Sequence, residues 1–491
     1  MSRWSEEYYE VYCAYLFIIA FLLFNVLTAT SYPYPNTDEA MIAEPAINFV
    51  HGLGFQVRFS EIVVMYPFLL VGWFRLFGSS LRSIRSADII CMTASLLVLW
   101  SAVKRLGIVS SWRWRLFLLP LLATEYGMIF AYRSGRYDGF GALLMAGILW
   151  VMSIKDKRTR IASLSGICLF SPWAGPQFLP LIFVAGVVLL IVFGWRYWPE
   201  IAASYVSIVC GGVIFLAALF ECGRLSRFLE FLRIAQRSSG FFHALISQGK
   251  FNHGNYIPKD FSFPFLFAAG VLLFMTLRRD RRVTYRSPIC YGLLLAVCLT
   301  SVLLLVAKFP TYYSYMIVIP VAVAVCSGLS LSEPGTGRKI ALLLCCMSFV
   351  FGAVANMVAY VSARHDHNYG RIQKFVNQSV YPDDIVYTEP MAYEAVRARV
   401  RDAYFPNPDL EIIPLMSQQQ KKAFDVVLIR REWASDVTKA LGGTWQDTGQ
   451  GLAPADPPFL GSTNLGFLSW KFGGLHVYRR TQESGVKPRV N

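Results

Sequence analysis

The sequence predicts a polytopic α-helical membrane protein with a small C-terminal α/β domain. Two observations carry this. The chain is 55% hydrophobic and only 16% charged over 491 residues, with a mean hydropathy of +0.45, values that soluble globular chains rarely reach. Its apolar stretches run roughly 17–25 residues, long enough to cross a bilayer as helices. The character of the chain then changes after residue 361, where the apolar runs become short and polar residues dominate.

The elements follow in order. The opening MSRWSEEYYEVY carries at least as many acids as bases, and no small-residue cleavage site follows the next apolar run, so 11–30 reads as a retained first membrane helix rather than a signal peptide. The basic loops 104–115, 155–160, 278–286 and 337–339 belong in the cytoplasm by the positive-inside rule. That requires 62–78, which is apolar but short and interrupted by Pro67 and Arg75, to lie on the outer surface instead of crossing. About eleven crossings result: 11–30, 87–105, 114–131, 139–154, a tight hairpin of two short helices over 161–194 broken at SPWAGPQ, then 199–220, 263–277, 288–307, 315–331 and 340–361. Residues 1–361 form the membrane domain, with outer loops 31–86, 132–138, 222–262 and 308–314. Residues 362–491 form the outer domain, where DIVYT, FDVVLIRR and GLHVYRR alternate as strands with helical patterns such as AYEAVRARVRDAY.

The net charge of +15 sits in short loops between spans, which is a topology signal and not a nucleic-acid groove. Ten cysteines show no CxxC and no Cys/His metal spacing; in apolar spans they read as small buried hydrophobes. No metal ligand is assigned, and a divalent cation is left open as a cofactor.

The outer loops hold the polar residues that invite chemistry. Asp38 and Glu39 follow the first span, beyond Pro33 and Pro35, on what reads as a non-helical loop. The stretch YRSGRYD brings Arg133, Arg136 and Asp138; KFPTYYSY brings Lys308, Tyr312 and Tyr313; and 224–237 is amphipathic and basic. Taken singly these are solvated helix ends or snorkelling side chains. Gathered on one side, a carboxylate could activate a hydroxyl while cations stabilise a departing lipid phosphate.

The order of these features resembles the GT-C superfamily of polyprenyl-phosphate-sugar-dependent glycosyltransferases, in particular the branch holding protein O-mannosyltransferases and bacterial lipid A aminoarabinose transferases. The resemblance rests on the Asp38-Glu39 pair in the first outer loop, Tyr66-Pro67 in the interfacial segment, Asp138 opening a helix, and Lys308, Tyr312, Tyr313 and Pro320 late in the chain. It covers roughly 8–360. It implies an inverting transfer of a monosaccharide from a polyprenyl-phosphate carrier to a hydroxyl or phosphate on a lipid, glycan or protein, at the outer face of a bacterial inner membrane. Asp38 falls at the centre of the reaction, Glu39 orients it or the acceptor, and Asp138 partners the acceptor or first-loop residues. Some relatives carry a Lys before the aromatic-Pro pair; here the segment reads EIVVMYP, which leaves Arg58, Arg136 or Lys308 for the phosphate. Tyr66 and Arg133 complete the expected substrate contacts. Two other readings compete: a transporter of lipid-linked sugars, argued against by the lack of paired broken helices, and an O-antigen-ligase-like transferase that would use His243 and His253 in loop 222–262.

Overall fold

A computed structural model describes residues 3–31, 37–55, 64–226, 228–229, 262–279, 286–305, 313–355, 357–358, 361, 364–365, 368–405, 413, 416–455 and 472–481. The chain forms two compact units. The first comprises 1–28, 60–66 and 85–358, and the second 29–59, 67–84 and 359–491. The division differs from the single boundary expected at 361, because two segments of the first loop cluster with the C-terminal residues.

Every expected span carries helix. These are α1 Arg3–Leu27, α4 Leu81–Leu106, α5 Trp112–Thr124 with α6 Tyr126–Arg133, α7 Asp138–Met152, α8 Lys157–Ala174, α9 Phe178–Phe193, α10 Trp198–Glu221, α11 Ser262–Arg279, α12 Pro288–Leu305, α13 Ser314–Leu331 and α14 Thr336–Phe349. By length and apolarity alone, five spans among the described residues could cross a membrane, or six when α5 and α6 count as one. The chain is a multi-pass membrane protein. Span 114–131 is not one straight helix: α5 and α6 meet at 65°. The cause is Glu125, which has extended backbone and whose carboxylate accepts the Met128 N–H at 2.7 Å, starting a new helix there. This is a second broken span beside the hairpin, whose turn falls between Ala174 and Phe178 as expected.

Three of the basic loops, 104–115, 155–160 and 337–339, gather at one end of the first unit, with the N-terminal turns of α1; most of the fourth, 280–285, lies outside the described residues. The Arg115 guanidinium pairs with Glu10 at 2.6 Å and Lys104 with Glu7 at 2.9 Å. Ser110 and Ser330 hydroxyls meet at 2.6 Å, Arg338 lies over the Trp114 ring, Arg105 over Trp150, and Arg160 pairs with Glu200 at 2.6 Å. That common end is what the positive-inside reading requires. Between the ends, α8 and α10 run in close contact because Gly211 has no Cβ; an added one would overlap the Leu169 carbonyl.

In the second unit lie α2 Thr37–Val50 and all but the first two residues of α3 Met65–Phe77. At 13 residues, α3 is about 20 Å long. Its exposed side presents Phe68, Leu69, Leu76 and Phe77. Arg75 lies over the Phe49 ring of α2, and the Trp73 indole donates to the Ser83 carbonyl at 2.8 Å.

The C-terminal residues build α15 Tyr369–Ser379, β1 Ile385–Thr388, α16 Pro390–Arg397, β2 Asp402–Tyr404, α17 Gln418–Lys422, β3 Val426–Arg430, α18 Arg431–Leu441, β4 Trp445–Leu452 and β5 Leu475–Arg480. The sheet order is β2-β1-β3-β5-β4. β1 is parallel to β2 and β3, while β5 is antiparallel to β3 and β4. Tyr387, Phe424, Val427, Ile429 and Leu441 form its core. The three strands legible in sequence are the inner ones. The two edges were hidden: β4 reads WQDTGQGL and is mostly exposed, and β2 occupies the end of a segment expected to stay helical, which stops at Arg397.

Candidate active site

The end of the first unit opposite the basic loops is built around the start of α7. The turn from α6 brings Arg136, Tyr137 and Asp138 into line. Gly141 N–H donates to the Tyr137 carbonyl at 2.8 Å, closing the first turn of α7. The preceding N–H groups need a partner from elsewhere. Asp88 of α4 supplies it: one carboxylate oxygen accepts from Gly139 N–H at 2.8 Å and from Phe140 N–H at 3.3 Å. The approach is tight, since a Cβ on Gly139 would overlap the Asp88 backbone carbonyl. Asp88 is fully buried.

This cap leaves Asp138 at the first position of α7, where the helix dipole favours a negative charge. The Arg136 guanidinium lies 3.1 Å from its carboxylate, and both side chains are buried. Around them stand aromatic hydroxyls. The Tyr315 ring lies against Gly141, and its hydroxyl is 3.5 Å from the Gln177 amide at the α8–α9 turn. Tyr313 immediately precedes α13. Tyr66 is buried, its ring 5.9 Å from that of Phe140. Burial holds the Tyr137 phenol well above its ordinary range; Tyr313 adds to the rise and Arg136 opposes it. Tyr137 is therefore a neutral O–H donor throughout the physiological range. A buried cation beside a carboxylate and phenolic donors can bind an anionic or hydroxyl-bearing ligand and orient it.

Arg133 points elsewhere. It donates to the Asn25 side-chain oxygen at 2.6 Å, to the Thr28 hydroxyl at 3.0 Å and to the Thr28 carbonyl, joining α6 to the end of α1. Of the two arginines read together from the sequence, only Arg136 pairs with Asp138.

Asp38 and Glu39 belong to the second unit. They occupy the first turn of α2 and not a loop, which corrects the expectation drawn from Pro33 and Pro35. Those prolines precede the helix, and acids are favourable in a first turn. Glu39 is fully buried and Asp38 half-buried. Arg58, Lys308, Tyr312, His243, His253 and most of 224–237 lie outside the described residues. Among the described residues, no three His, Cys, Asp or Glu side chains converge on a metal position.

Among the buried carboxylates that escaped the sequence reading are Asp88 and Glu125. Each interrupts an apolar span, and an acid at such a position was the available signal.

No protein-family model matches the chain, and no curated protein matches it in sequence. Solved structures do match. ArnT from Cupriavidus metallidurans bound to undecaprenyl phosphate aligns with a TM-score of 0.62 at 14% identity, covering 96% of this chain and 99% of ArnT. The same protein in the apo state aligns with a TM-score of 0.58 at 15% identity, covering 94% and 97%. The mycobacterial arabinofuranosyltransferase AftD aligns with a TM-score of 0.48 at 12% identity over 40% of its length. The chain has the fold of ArnT over nearly its whole length.

Proposed function

We propose that this chain is an inverting membrane glycosyltransferase that moves a monosaccharide from a polyprenyl-phosphate carrier to a hydroxyl or phosphate on a lipid, glycan or protein. The observation that carries the reading is the near-complete structural alignment with ArnT, whose crystal structure holds undecaprenyl phosphate. The buried Arg136–Asp138 pair at the start of α7 supports it. The active face is the periplasmic side of a bacterial inner membrane, where nucleotide sugars are absent and a lipid carrier is the natural donor.

In this reaction the acceptor oxygen attacks the anomeric carbon from the face opposite the phosphate. The carbon–oxygen bond to phosphate breaks, polyprenyl phosphate leaves with the bonding pair, and the configuration inverts. A hydroxyl acceptor loses its proton to Asp38. A phosphate acceptor is already anionic and needs orientation only. Arg136 and the Tyr137 hydroxyl are the donors for phosphate or acceptor oxygens, and Asp138 holds Arg136 and accepts from an acceptor hydroxyl. Lys308 and Arg58 are further cations for the leaving phosphate.

The test is transfer by purified protein in detergent, with undecaprenyl-phosphate sugars and candidate acceptors supplied directly. Transport has no meaning there, so turnover separates an enzyme from a flippase. Asp38→Asn should lower turnover on a hydroxyl acceptor by about 10²–10⁴-fold, the usual worth of general-base catalysis. Near-normal turnover of Asp38→Asn removes that assignment. Transfer from a nucleotide sugar without any lipid carrier overturns the donor.

A further inference from the structure

We infer that Arg397, in the C-terminal domain, is a positioning residue for the helix that carries Asp38 and Glu39; this rests on the catalytic reading of that pair. Arg397 is fully buried. An arginine taken out of water needs its donors met by acceptors, or its burial is very costly. Its acceptors come from two sources. One guanidinium nitrogen bonds the Arg401 carbonyl and lies 3.5 Å from the Asp402 carboxylate at the start of β2. The other donates to the Asn48 side-chain oxygen of α2 at 2.9 Å. The Asn48 amide in turn donates to Glu44 at 2.9 Å, one turn back along the same helix. Asn48 and Glu44 are themselves fully buried.

The direction of this chain of bonds is set by charge. Asn48 must turn its oxygen to the cation and its nitrogen to the carboxylate, so the amide has one orientation and α2 one rotation about its axis. Pro45 sits between the two bonded residues, inside the helix. It has no N–H, so one bond of the helix ladder is missing there. That missing bond is the one to the Met41 carbonyl, and the Arg397–Asn48–Glu44 relay holds the helix on its C-terminal side. Fixing the C-terminal half of α2 fixes the direction in which its first turn leaves, and that turn holds Asp38 and Glu39. The C-terminal domain thus takes part in setting the geometry of the acidic pair, although it sits hundreds of residues away in the sequence.

A reciprocal swap tests this without removing the buried cation. Asn48→Asp alone puts a second carboxylate beside Glu44 and should lower kcat roughly ten- to a hundredfold, the penalty expected for small misplacement of a reacting group, with little change in the KM for the lipid donor. Adding Glu44→Gln restores one acceptor for Arg397 and one donor along the helix with the original net charge, and should return kcat to within a few-fold of the natural protein. Arg397→Met should lower kcat as Asn48→Asp does. In an Asp38→Asn background, neither Asn48→Asp nor Arg397→Met should lower the residual rate further, because the group they position is gone. Thermal melting of each purified variant identifies any that fail to fold. Equal fold-losses in both backgrounds, or no rescue by the Glu44→Gln/Asn48→Asp pair in folded protein, overturn the positioning role. If Asp38→Asn itself keeps full turnover, the catalytic reading fails first, and the positioning role falls with it. If Asp38→Asn is inactive while Asn48→Asp and Arg397→Met are fully active, only the positioning role fails.

Discussion

Arg136 and Asp138 tie stability and chemistry together at the scale of single residues. Both are buried, and the guanidinium lies 3.1 Å from the carboxylate. Removing one partner of a buried ion pair typically costs about 3–5 kcal/mol, because the other charge stays behind, whereas replacing both with apolar groups is often neutral. Arg136→Met should therefore lower the thermal midpoint markedly. Arg136→Met/Asp138→Leu should recover most of that loss while sugar transfer stays abolished. A double variant as unstable as the single would mean that the pair is held by more than its mutual attraction. Asp88 separates the same two roles differently. Asp88→Asn keeps an oxygen for the Gly139 and Phe140 N–H groups and should fold nearly as well as the natural protein. Asp88→Ala leaves those N–H groups buried without the acceptor, at a cost of about 1–3 kcal/mol, readable in the same melts.

Among the elements, α7 and α2 show how local rules and neighbours divide the work. The start of α7 can lie against α4 only because residue 139 has no Cβ. The atom in the way is backbone, which cannot swing aside as a side chain can. Gly139→Ala should thus destabilise by about 1–3 kcal/mol, the usual cost of overpacking, and shift Asp138 with it; unchanged melting and turnover would show that α4 and α7 can part freely. α2 ends at a titratable group. His51 approaches the Ser79 hydroxyl at 3.3 Å, and burial first, then the nearby Arg397 charge, lower its pKa below the ordinary value. The unfolded chain accordingly takes up the proton more readily than the folded one. Its contribution to stability is fully present above about pH 6.5, the unfolded value, and is lost as pH falls through the lower folded value. The thermal midpoint should drop as buffer is changed from pH 7.5 to pH 5.5, and His51→Gln should flatten that slope; an unaltered slope would assign the pH dependence to other groups.

For the whole molecule, sidedness is the property with the widest consequences. Among the described residues, basic loops 104–115, 155–160 and 337–339 share one end of the first unit, Arg115 with Glu10 and Arg338 over Trp114 among them. The start of α7 lies at the other. With those loops in the cytoplasm, the eleven crossings expected from the sequence would put residues 362–491 outside. An alkaline phosphatase fused to the C-terminus in a bacterial host should be active. An active cytoplasmic reporter at that position would reverse the orientation, and the lipid-carrier argument with it.

Hydrophobic length and loop charge alone determined the class, the positions of the helical segments and the three inner strands of the C-terminal sheet. Those are local signals: a buried helix or strand must be apolar along its own length, and a short basic loop marks one side of a membrane. The pair Asp38-Glu39, Asp138 and Arg136 stand out as site candidates for a similar reason, as charges crowded at the ends of apolar runs. What the tertiary structure decided lies in the partners each residue meets, and those have no local signature. The edge strand β4 is mostly exposed and so carries no apolar run, and β2 is only three residues long. Asp88 and Glu125 are tolerated in apolar spans because backbone N–H groups, two of them on a different helix in the case of Asp88, lie within reach to donate to their carboxylates. Arg133 and Arg136 look alike in sequence, and only the folded turn sends one to Asn25 and Thr28 and the other to Asp138. Arg397 reads as one more charge on an exposed helix until Asn48 is found opposite it. A charge buried far from its partner in sequence is invisible to any local pattern, because its solvation comes from residues that only the fold brings near.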